Sequence, residues 1–365
     1  MKHHQKIRSA ADRVVRQGSL MKLTVDEIAA WIGATVEGDG SLEISGLAKI
    51  EEAHKGHLTF IANPKYTKYI DQTDASAVLV DMDFPQSSKT LLRTDNPYFS
   101  FLQIAQRIYL TTPNIPKGVH KTAIIGKNAQ LGDEVAIGAY VVIGDDCRIG
   151  DGTTICPGTM IGDRVIIGSN CLLYSNVSIR EECRVGNRCI LHMGAVIGSD
   201  GFGYAFEQGK YHKLPQMGIV VLEDEVEIGA NTTIDRATMG ETKISRGTKL
   251  DNLIQIAHNV EIDENTACAA QTGISGSTKI GKYVMIGGQA GLVGHITVGD
   301  QAKIGAQAGV TKSVPEDTFV SGYPARPFRR EMREIASLAK LPDLLKRVKQ
   351  LEKKVAELQD QLKSD

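Results

Sequence analysis

The sequence lacks the long apolar run of a membrane-spanning helix, since its 365 residues contain no stretch of about 18 apolar residues. It also lacks an excess of either charge, because 42 Lys and Arg nearly balance 43 Asp and Glu. The net charge therefore gives no reason to expect a nucleic-acid partner, and any partner must be recognised through local surface patches. A chain of this length has room for two or three domains.

An export signal is also missing. The first twenty residues, MKHHQKIRSAADRVVRQGSL, carry basic residues but no apolar core of the kind found in secretory signals. A second methionine, Met21, opens MKLTVDEIAAWIGA, which is typical of the start of a domain. We expect residues 1–20 to be an upstream extension or an expression leader. The expected compartment is the cytoplasm, where the six cysteines stay reduced.

What the sequence does have is an apolar residue at every sixth position. The series runs without a slip from Val119 to Ile197, is taken up at Leu222, and shifts once through RATMGETK before it resumes from Ile244 to Val310. An amphipathic helix repeats near 3.6 residues and a strand near 2, so neither explains this period. A six-residue period is typical of a parallel β-helix, in which each hexapeptide supplies one short strand and one corner.

The cysteines offer a check on this register. Cys147, Cys171, Cys183 and Cys189 each follow an inward-facing aliphatic residue by four positions, where such a repeat takes a small buried side chain. Because no CxxC motif occurs, we interpret them as small core residues and not as a disulfide framework or a metal set.

The regions on either side of the repeat differ from it. Residues 21–112 combine a helical segment, VDEIAAWIG, with strand-like runs, ASAVLV and KTLLRT, and predict a small α/β domain. The repeat itself defines a second domain over residues 113–320. Residues 321–365 are predicted to be helical, and they include apolar residues spaced alternately by four and three, as in a coiled coil: Leu344, Val348, Leu351, Val355, Leu358 and Leu362.

Several stretches together resemble one family. LTFIANPKY, DNPY, IGSDGFGYAF, KLPQMG, VEIGANTTIDRATMG, DNLIQIAHNV and GSTKIGKYVMIGGQAGLVGH are similar to the UDP-3-O-(3-hydroxyacyl)glucosamine N-acyltransferases of lipid A biosynthesis, within the hexapeptide-repeat acyltransferases. The likeness extends from Met21 to about residue 330. It implies a mainly β protein built on a left-handed parallel β-helix with three hexapeptides per coil, so that residues eighteen apart stack about 4.8 Å from each other.

The resemblance also implies a set of catalytic residues. It assigns His258 as general base, and Asp251 would hydrogen-bond its ring and fix the tautomer. Gly276, eighteen residues after His258, would offer its backbone N–H to the oxyanion. Asn252 and His295 would position the carbonyl or the leaving thiolate. On the residues alone a structural role for the histidine stays open.

A strip of small residues runs beside His258. At steps of eighteen, Gln255 is followed by Gly273, Gly291 and Gly309, which leaves a surface that admits a long, thin group against the backbone. We interpret it as the groove for the acyl chain and the pantetheine arm. An open position at Gly309 suggests room for a longer chain.

Zinc is the main alternative chemistry for a prism of this kind. A zinc site needs two ligands close together on one subunit and a free coordination position. No tight pair occurs among the prism histidines, which are His120, His192, His212, His258 and His295. We therefore expect neither a metal nor any other cofactor, with the acyl donor carried on phosphopantetheine.

The resemblance places the uridine of the acceptor on the N-terminal domain. Phe60 and Tyr66 would flank the base, Asn63 would lie nearby and Lys65 would meet the diphosphate, with ordinary core packing as the alternative for the aromatic pair.

A basic cluster formed by Arg326, Arg329, Arg330 and Arg333 suggests docking of an acidic acyl carrier protein, although such runs are often solvated helix faces. The heptads require association of helices, and the resemblance implies a homotrimer with sites in the clefts between prisms.

The resemblance therefore implies an enzyme that moves a 3-hydroxyacyl group from acyl carrier protein to the 2-amine of a UDP-3-O-acylglucosamine. A related acyltransferase that uses another nucleotide sugar is the alternative among enzymes. A prism that acts as a scaffold without catalysis is the alternative from another class, and loss of turnover in His258→Ala would exclude it.

Overall fold

The computed structural model describes residues 23–109 and 113–364. The predicted extension, residues 1–20, lies outside them. The chain divides into two compact units, the first ending at Pro113 and the second beginning at Asn114. No helix in the described ranges has both the length and the apolar character needed to cross a membrane.

The first unit is a small α/β structure, as predicted. Its five-stranded sheet has the order β2-β7-β6-β5-β4, and only β2 runs antiparallel to its neighbour. Its elements are β1 (Leu23–Thr24), α1 (Val25–Ile32), β2 (Thr35–Glu37), β3 (Glu43–Ile44), β4 (Gly46–Leu47), β5 (His57–Phe60), a 3-10 helix (Pro64–Tyr69), β6 (Ala77–Val80), β7 (Thr90–Arg93) and α2 (Pro97–Tyr109).

Helix α1 shows how local sequence fixes an element of this unit. Thr24 caps its start through a reciprocal pair of bonds, because its Oγ1 accepts from Glu27 N and its own N donates to Glu27 Oε2. Gly33 ends the helix at a φ of 67°. The helix buries Val25 and Ile28 in a core that it shares with Leu58 of the sheet.

The second unit is a three-sided parallel β-helix, which confirms the architecture predicted from the six-residue period. Each coil crosses three sheets in turn, named here sheet I, sheet II and sheet III. Consecutive strands of a sheet are parallel and in register at a step of eighteen residues, as for Ile137 and Ile155. The inward residues Ile137, Ile143 and Ile149 of one coil are all buried, so the repeated aliphatic forms a continuous core.

Sheet I has eleven strands: β8 (Gly118–Val119), β11 (Ala136–Ile137), β14 (Thr154–Ile155), β17 (Leu172–Leu173), β20 (Ile190–Leu191), β25 (Glu227–Ile228), β28 (Lys249–Leu250), β31 (Ala267–Cys268), β34 (Met285–Ile286), β37 (Lys303–Ile304) and β39 (Phe319–Val320). Sheet II has ten: β9 (Ile124–Ile125), β12 (Val142–Ile143), β15 (Met160–Ile161), β18 (Ser178–Ile179), β21 (Val196–Ser199), β26 (Thr233–Asp235), β29 (Gln255–Ile256), β32 (Gly273–Ile274), β35 (Gly291–Leu292) and β38 (Gly309–Val310). Sheet III has nine: β10 (Gln130–Leu131), β13 (Arg148–Ile149), β16 (Ile166–Ile167), β19 (Arg184–Val185), β24 (Ile219–Leu222), β27 (Glu241–Ile244), β30 (Glu261–Ile262), β33 (Lys279–Ile280) and β36 (Thr297–Val298).

Buried threonines and cysteines hold successive coils together. Thr153 Oγ1 donates to the carbonyl of Gly168 at 2.8 Å, and Thr266 Oγ1 does the same to Gly281. Cys147 occupies the equivalent position, with its Sγ 3.0 Å from the carbonyl of Gly162. All six cysteines are free and buried, which confirms the role as small core residues predicted for Cys147, Cys171, Cys183 and Cys189.

Two insertions interrupt the regular coils. Val185 pairs with Leu222, thirty-seven positions later, because the chain leaves the prism after β21 and forms an antiparallel hairpin of β22 (Tyr204–Glu207) and β23 (Lys210–Lys213). The smaller insertion follows β26 and produces the register shift seen in the sequence, since Leu222 pairs with Ile244. The hairpin had no counterpart in the sequence-based predictions.

Two helices end the described chain, α3 (Phe328–Leu338) and α4 (Leu341–Ser364). The five heptad residues of α4 whose side chains are described are 45–59% exposed: Leu344, Val348, Leu351, Val355 and Leu358. The side chain of the sixth, Leu362, lies outside the described part. The predicted apolar stripe therefore exists on a helix that leaves it uncovered within one chain.

Candidate active site

His258 lies at the corner between sheet II and sheet III, two residues after the end of β29. Its ring is half-buried between two glycines. A Cβ added at Gly276, on the next coil, would lie 2.7 Å from the ring atoms Cε1 and Nε2. A Cβ added at Gly201, in the segment that leads into the hairpin, would lie 2.7 Å from His258 Cβ. Any larger residue at either position would displace the side chain of His258.

Asn259 is the hydrogen-bonding partner of this histidine. Its Oδ1 lies 3.2 Å from His258 Nδ1. The orientation of the amide is fixed because Nδ2 donates to Met239 O at 2.9 Å while Oδ1 accepts from Thr238 N at 3.0 Å. An oxygen facing Nδ1 requires the proton on Nδ1, so Nε2 keeps its lone pair.

Asp251 lies at a different corner, between sheet I and sheet II, and within one chain it does not contact His258. Its Oδ1 accepts from the N and Nδ2 of Asn252, both at 2.8 Å, and its Oδ2 accepts from Ala270 N at 3.1 Å. Asn252 in turn accepts from Ala230 N through Oδ1 at 2.7 Å. These two residues therefore join three successive coils along that corner.

Gly276 and His295 lie on the two coils that follow His258 at the same corner. His295 is exposed, has a φ of 60°, and donates its backbone N–H to Gly276 O at 3.1 Å. Within the two described ranges, no group accepts a hydrogen bond from the backbone N–H of Gly276. A peptide N–H beside a histidine ring is thus free to bind an incoming oxygen.

The glycine strip of sheet II forms a shallow groove. Gly273, Gly291 and Gly309 pair with one another in register, and no atom lies within 4 Å of a Cβ added at any of them. The groove has a volume of about 380 Å³ and its lining extends from Gln255 to Val293, one coil short of Gly309. Its floor is backbone, which suits an extended chain without side-chain bulk.

A larger groove, of about 790 Å³, runs along sheet I, and the sequence analysis missed it. Asp251 and Asn252 form one edge, His192 lies at one end, and small or flexible side chains such as Ala267 and Met285 form the floor. His192 stacks on Tyr174 at 5.1 Å and hydrogen-bonds Glu227 at 3.0 Å. The recurrence of Ala and Gly at eighteen-residue steps on this face was the available signal.

Phe60 and Tyr66, the two aromatic residues predicted to flank the base, each pack against other rings of the first unit. Phe60, at the end of β5, is half-buried against Phe101 and Tyr98, with ring centres 4.5 and 5.6 Å away. Tyr66 is 44% exposed and contacts Tyr69 at 6.2 Å. Within residues 23–109 no ring contact joins Phe60 to Tyr66, so a flat ligand would have to enter between separate rings.

Asn63 and Lys65 belong to the same turn. The Oδ1 of Asn63 accepts from the backbone N–H of Lys65 at 3.0 Å and caps the 3-10 helix. This bond occupies one acceptor site of Asn63, but it leaves the amide Nδ2 and the exposed Lys65 ammonium for other partners.

The arginine cluster spans the start of α3 and the residues before it. Arg330 and Arg326 both pair with Glu334 and hold its pKa below the ordinary value. Arg333 Nε donates to Arg329 O at 3.2 Å. One carboxylate thus offsets part of an exposed positive patch beside a cavity of about 660 Å³. In the described part of the chain, no group of three or more His, Cys, Asp or Glu has the arrangement of a metal site.

Comparison with known proteins agrees with the geometry. A family model described as UDP-3-O-(3-hydroxymyristoyl) glucosamine N-acyltransferase matches residues 41–107, and the bacterial transferase hexapeptide model matches residues 128–163, 140–173, 164–199 and 277–312. The three-sided β-helix and its hexapeptide repeats, together with these matches, define a hexapeptide-repeat acyltransferase.

Two curated relatives are called UDP-3-O-acylglucosamine N-acyltransferase. The Methylacidiphilum infernorum protein is 50% identical over 92% of this chain and 96% of its own length. The Geobacter protein is 52% identical over 94% of this chain and 99% of its own. The chain therefore belongs to the UDP-3-O-acylglucosamine N-acyltransferase family. The crystal structure of Arabidopsis UDP-N-acetylglucosamine acyltransferase shares the fold at 21% identity, with a TM-score of 0.51 over 56% of this chain and 71% of that one.

Proposed function

We propose that this enzyme transfers a 3-hydroxyacyl chain from the thioester of acyl carrier protein to the 2-amino group of a UDP-3-O-(3-hydroxyacyl)glucosamine, in lipid A biosynthesis. The observation that carries the proposal is the pairing of an imidazole Nε2 lone pair at His258 with a free backbone N–H at Gly276. The curated names of the relatives supply the acceptor class.

The reaction forms a C–N bond and breaks a C–S bond. The amine nitrogen attacks the thioester carbon, and the carbonyl oxygen becomes an oxyanion. His258 Nε2 accepts the proton that leaves the amine, and the imidazolium returns it to the sulfur as the thiolate departs. The products are the amide and the free thiol of the phosphopantetheine arm, so protons and electrons balance.

The histidine serves as base because its tautomer is fixed. Asn259 Oδ1 faces Nδ1, which places the lone pair on Nε2 beside the free N–H of Gly276. That N–H is positioned to stabilise the oxyanion, a contribution of about 3 kcal/mol for one preorganised donor. His295 and Asn252 position the carbonyl or the leaving thiolate in this scheme.

The acyl chain and the pantetheine arm lie along the glycine strip from Gln255 through Gly273 and Gly291 to Gly309. The open space outside each of these glycines supports that assignment. No metal or redox group has a step in the reaction, and the only carrier group is the phosphopantetheine of the donor protein.

The acceptor is held by the first unit. Phe60 and Tyr66 flank the uracil, Asn63 hydrogen-bonds it through its free amide, and Lys65 meets the diphosphate. The exposed ring of Tyr66 and the exposed ammonium of Lys65 support this arrangement, since each is available to a ligand.

The donor protein docks on the arginine cluster. Acyl carrier proteins are acidic, and the surface formed by Arg326, Arg329, Arg330 and Arg333 has only Glu334 to offset it among the ion pairs of the described residues. We place the enzyme in the cytoplasm, where its six free thiols are stable.

The enzyme acts as a homotrimer. The uncovered stripe of α4 supports association, and the two grooves lie on sheets I and II, on either side of one corner of the prism. Three parallel prisms with that corner at the symmetry axis would bring sheet I of one copy opposite sheet II of the next. Each active-site cleft would then combine Asp251 and Asn252 of one copy with His258 of another.

The test is turnover of a UDP-3-O-(3-hydroxyacyl)glucosamine by the purified protein with a panel of 3-hydroxyacyl carrier proteins. Wild-type protein and His120→Ala, which changes a histidine on an early coil, should form the amide. His258→Ala should lose about 10²–10⁴-fold in kcat while keeping its oligomeric state. Absence of turnover with every chain length, or full activity of His258→Ala, would overturn the proposal.

A further inference from the structure

Asp235 is a buried carboxyl group that the proposed reaction has not used. It ends β26 and is only 8% exposed. Its Oδ2 accepts a hydrogen bond from Gln255 Nε2 at 3.0 Å. Within the described residues its Oδ1 accepts no hydrogen bond, and the side chain makes no ion pair.

The sheet register brings this carboxyl group to the catalytic corner. Strands β26 and β29 are adjacent and parallel, with Ile234 opposite Ile256. Asp235 is therefore level with Ala257, the residue before His258. The charge of the His258 ring is close enough to lower the pKa of Asp235, against the larger effect of burial, which raises it to about 6.

The other charged groups around this corner already have partners. Arg236, next to Asp235, points both terminal nitrogens at Glu181, with Nη1 2.6 Å from its Oε1 and Nη2 2.8 Å from its carbonyl. Asp200, on the segment that covers the corner, pairs with Arg180 and Lys213 and raises the pKa of Asp235.

The remaining titratable group here is His295, two coils on. It is exposed, whereas Asp235 is level with the residue before His258 on the adjacent strand. A buried carboxylate without an ion pair costs several kcal/mol unless a nearby positive charge compensates it. A positive charge appears on His258 during catalysis, and this charge is near enough to compensate the carboxylate of Asp235.

We infer that Asp235 is a positioning residue for the reaction, in that its carboxylate, held by Gln255, stabilises the protonated form of His258 and so strengthens the base. The inference rests on the proposed function, in which that histidine takes the proton of the amine. The carboxylate stays ionised throughout, and the proton moves only between the amine, Nε2 of the imidazole and the thiolate.

The kinetic test is the pH profile of Asp235→Asn, a variant of nearly equal volume. Loss of the negative charge should weaken the base, so kcat should fall about tenfold and the acidic limb of kcat/KM should move to lower pH. KM for both substrates should stay within about twofold, since Asp235 touches neither in this scheme. The matched control is Asp263→Asn, which removes a carboxylate from another corner of the same coil and should leave the profile unchanged.

An unchanged pH profile in Asp235→Asn would overturn the inference, and so would a fall in kcat without movement of the acidic limb. Gln255→Leu provides a second variant, because loss of its hydrogen bond raises the pKa of Asp235 and should move the same limb to higher pH. If the acidic limb of Gln255→Leu moved to lower pH, as in Asp235→Asn, that result would also contradict the mechanism.

A thermal-unfolding cycle separates this inference from the proposed function. The midpoints of wild type, Asp235→Asn, His258→Gln and the double variant, measured from pH 5 to pH 8, report the coupling without any turnover. A non-additive, pH-dependent effect supports the pair even if the protein acylates a different acceptor. Additive midpoints would overturn the pairing, whatever the substrate.

Discussion

His258 Nδ1 lies 3.2 Å from Asn259 Oδ1, so the residue that orients the histidine is its neighbour in the chain. Asn259 adopts a φ of 58°, a left-handed conformation that an asparagine tolerates better than most residues. The turn therefore aims the amide back at the preceding ring, while Thr238 and Met239 hold the amide in place.

Replacement of Asn259 should impair catalysis more than folding. Asn259→Ala removes the oxygen that fixes the tautomer, and we expect kcat to fall at least about tenfold with little change in KM. Asn259→Asp keeps the oxygen that faces Nδ1 but loses the donor to Met239 O, so it should retain more activity than Asn259→Ala and less than wild type. Steady-state kinetics with the proposed acyl carrier protein donor measure both effects.

Asn265→Ala is the control for the backbone strain in that experiment. Asn265 has a φ of 55° at another corner of the same coil, and it lies away from the histidine. Its replacement should cost a similar stability, about 1 kcal/mol, but leave kcat unchanged. Equal kcat losses in the two alanine variants would mean that the tautomer argument is wrong.

Gly276 is expected to tolerate no side chain. In Gly276→Ala the new Cβ would lie 2.7 Å from two ring atoms of His258, so the imidazole must move away from the free N–H. We expect kcat to fall about 10²-fold, which is the effect of misplacing a catalytic group by about 1 Å. Circular dichroism and light scattering should show an intact fold and oligomer.

Gly288→Ala is the matched control, because Ala270 and Ala306 occupy the same position in the neighbouring coils. A Cβ added at Gly288 would approach Ala270 O to 3.3 Å, a contact that a small adjustment relieves. This variant should keep wild-type kcat. A fully active Gly276→Ala would contradict the assigned position of the oxyanion.

The periodic part of the fold could be predicted from sequence because the same physical requirement recurs at every coil. An inward aliphatic every sixth residue fixes both the strand and its register, so the stacking of Gly276 on His258 follows from a step of eighteen. The buried cysteines follow from the same count. A repeated pattern averages out the local ambiguity that limits predictions for single strands.

The parts that break the period were not predictable in this way. The hairpin after β21 has no aliphatic register and folds back over the corner through Gly201. Asp251 and His258 are seven residues apart, one more than a hexapeptide, so they lie at adjacent corners and not side by side. Spacing along the chain therefore could not show that Asn259 is the contact of the ring within one chain.

Gly309 should control the length of the acyl chain. A Cβ at this position meets no atom within 4 Å, so a larger side chain would extend into the groove and not into the prism. Gly309→Met should shift the preference to chains shorter by several carbons and lower kcat/KM for the longest donor.

Competition between donors of different length in one reaction measures the shift. The same ranking of donors in wild type and variant would place the end of the groove elsewhere, and a wild-type preference for short chains would exclude the open end.

The stability of the protein should depend on pH through Asp235. Burial raises the pKa of this carboxyl group from 3.8 to about 6, so its ionisation opposes folding. The cost grows as pH rises from about 4 to 6 and is complete above that, at about 3 kcal/mol from the pKa difference. Asp235→Asn should therefore raise the free energy of unfolding at pH 8, and should do so by about 1.4 kcal/mol less at pH 5. Urea denaturation at both pH values measures this gain in the free energy of unfolding. If the gain at pH 8 were equal to or smaller than the gain at pH 5, ionisation of Asp235 would not destabilise the folded protein.

Asp251 and His258 should act together only across subunits, since they lie at different corners of one prism and do not touch. Asp251→Ala and His258→Ala are each expected to be inactive as pure proteins. If both are unfolded and refolded together, the proposed homotrimers should assemble at random and contain cleft sites with one intact copy of each residue. A cleft that takes Asp251 from one chain and His258 from the next is intact in about one case in four, so about a quarter of wild-type activity should return.

Refolding each variant alone is the control for recovery of folded protein. No gain in the mixture would mean that both residues serve the same chain's site, because every such site would then carry one of the two changes.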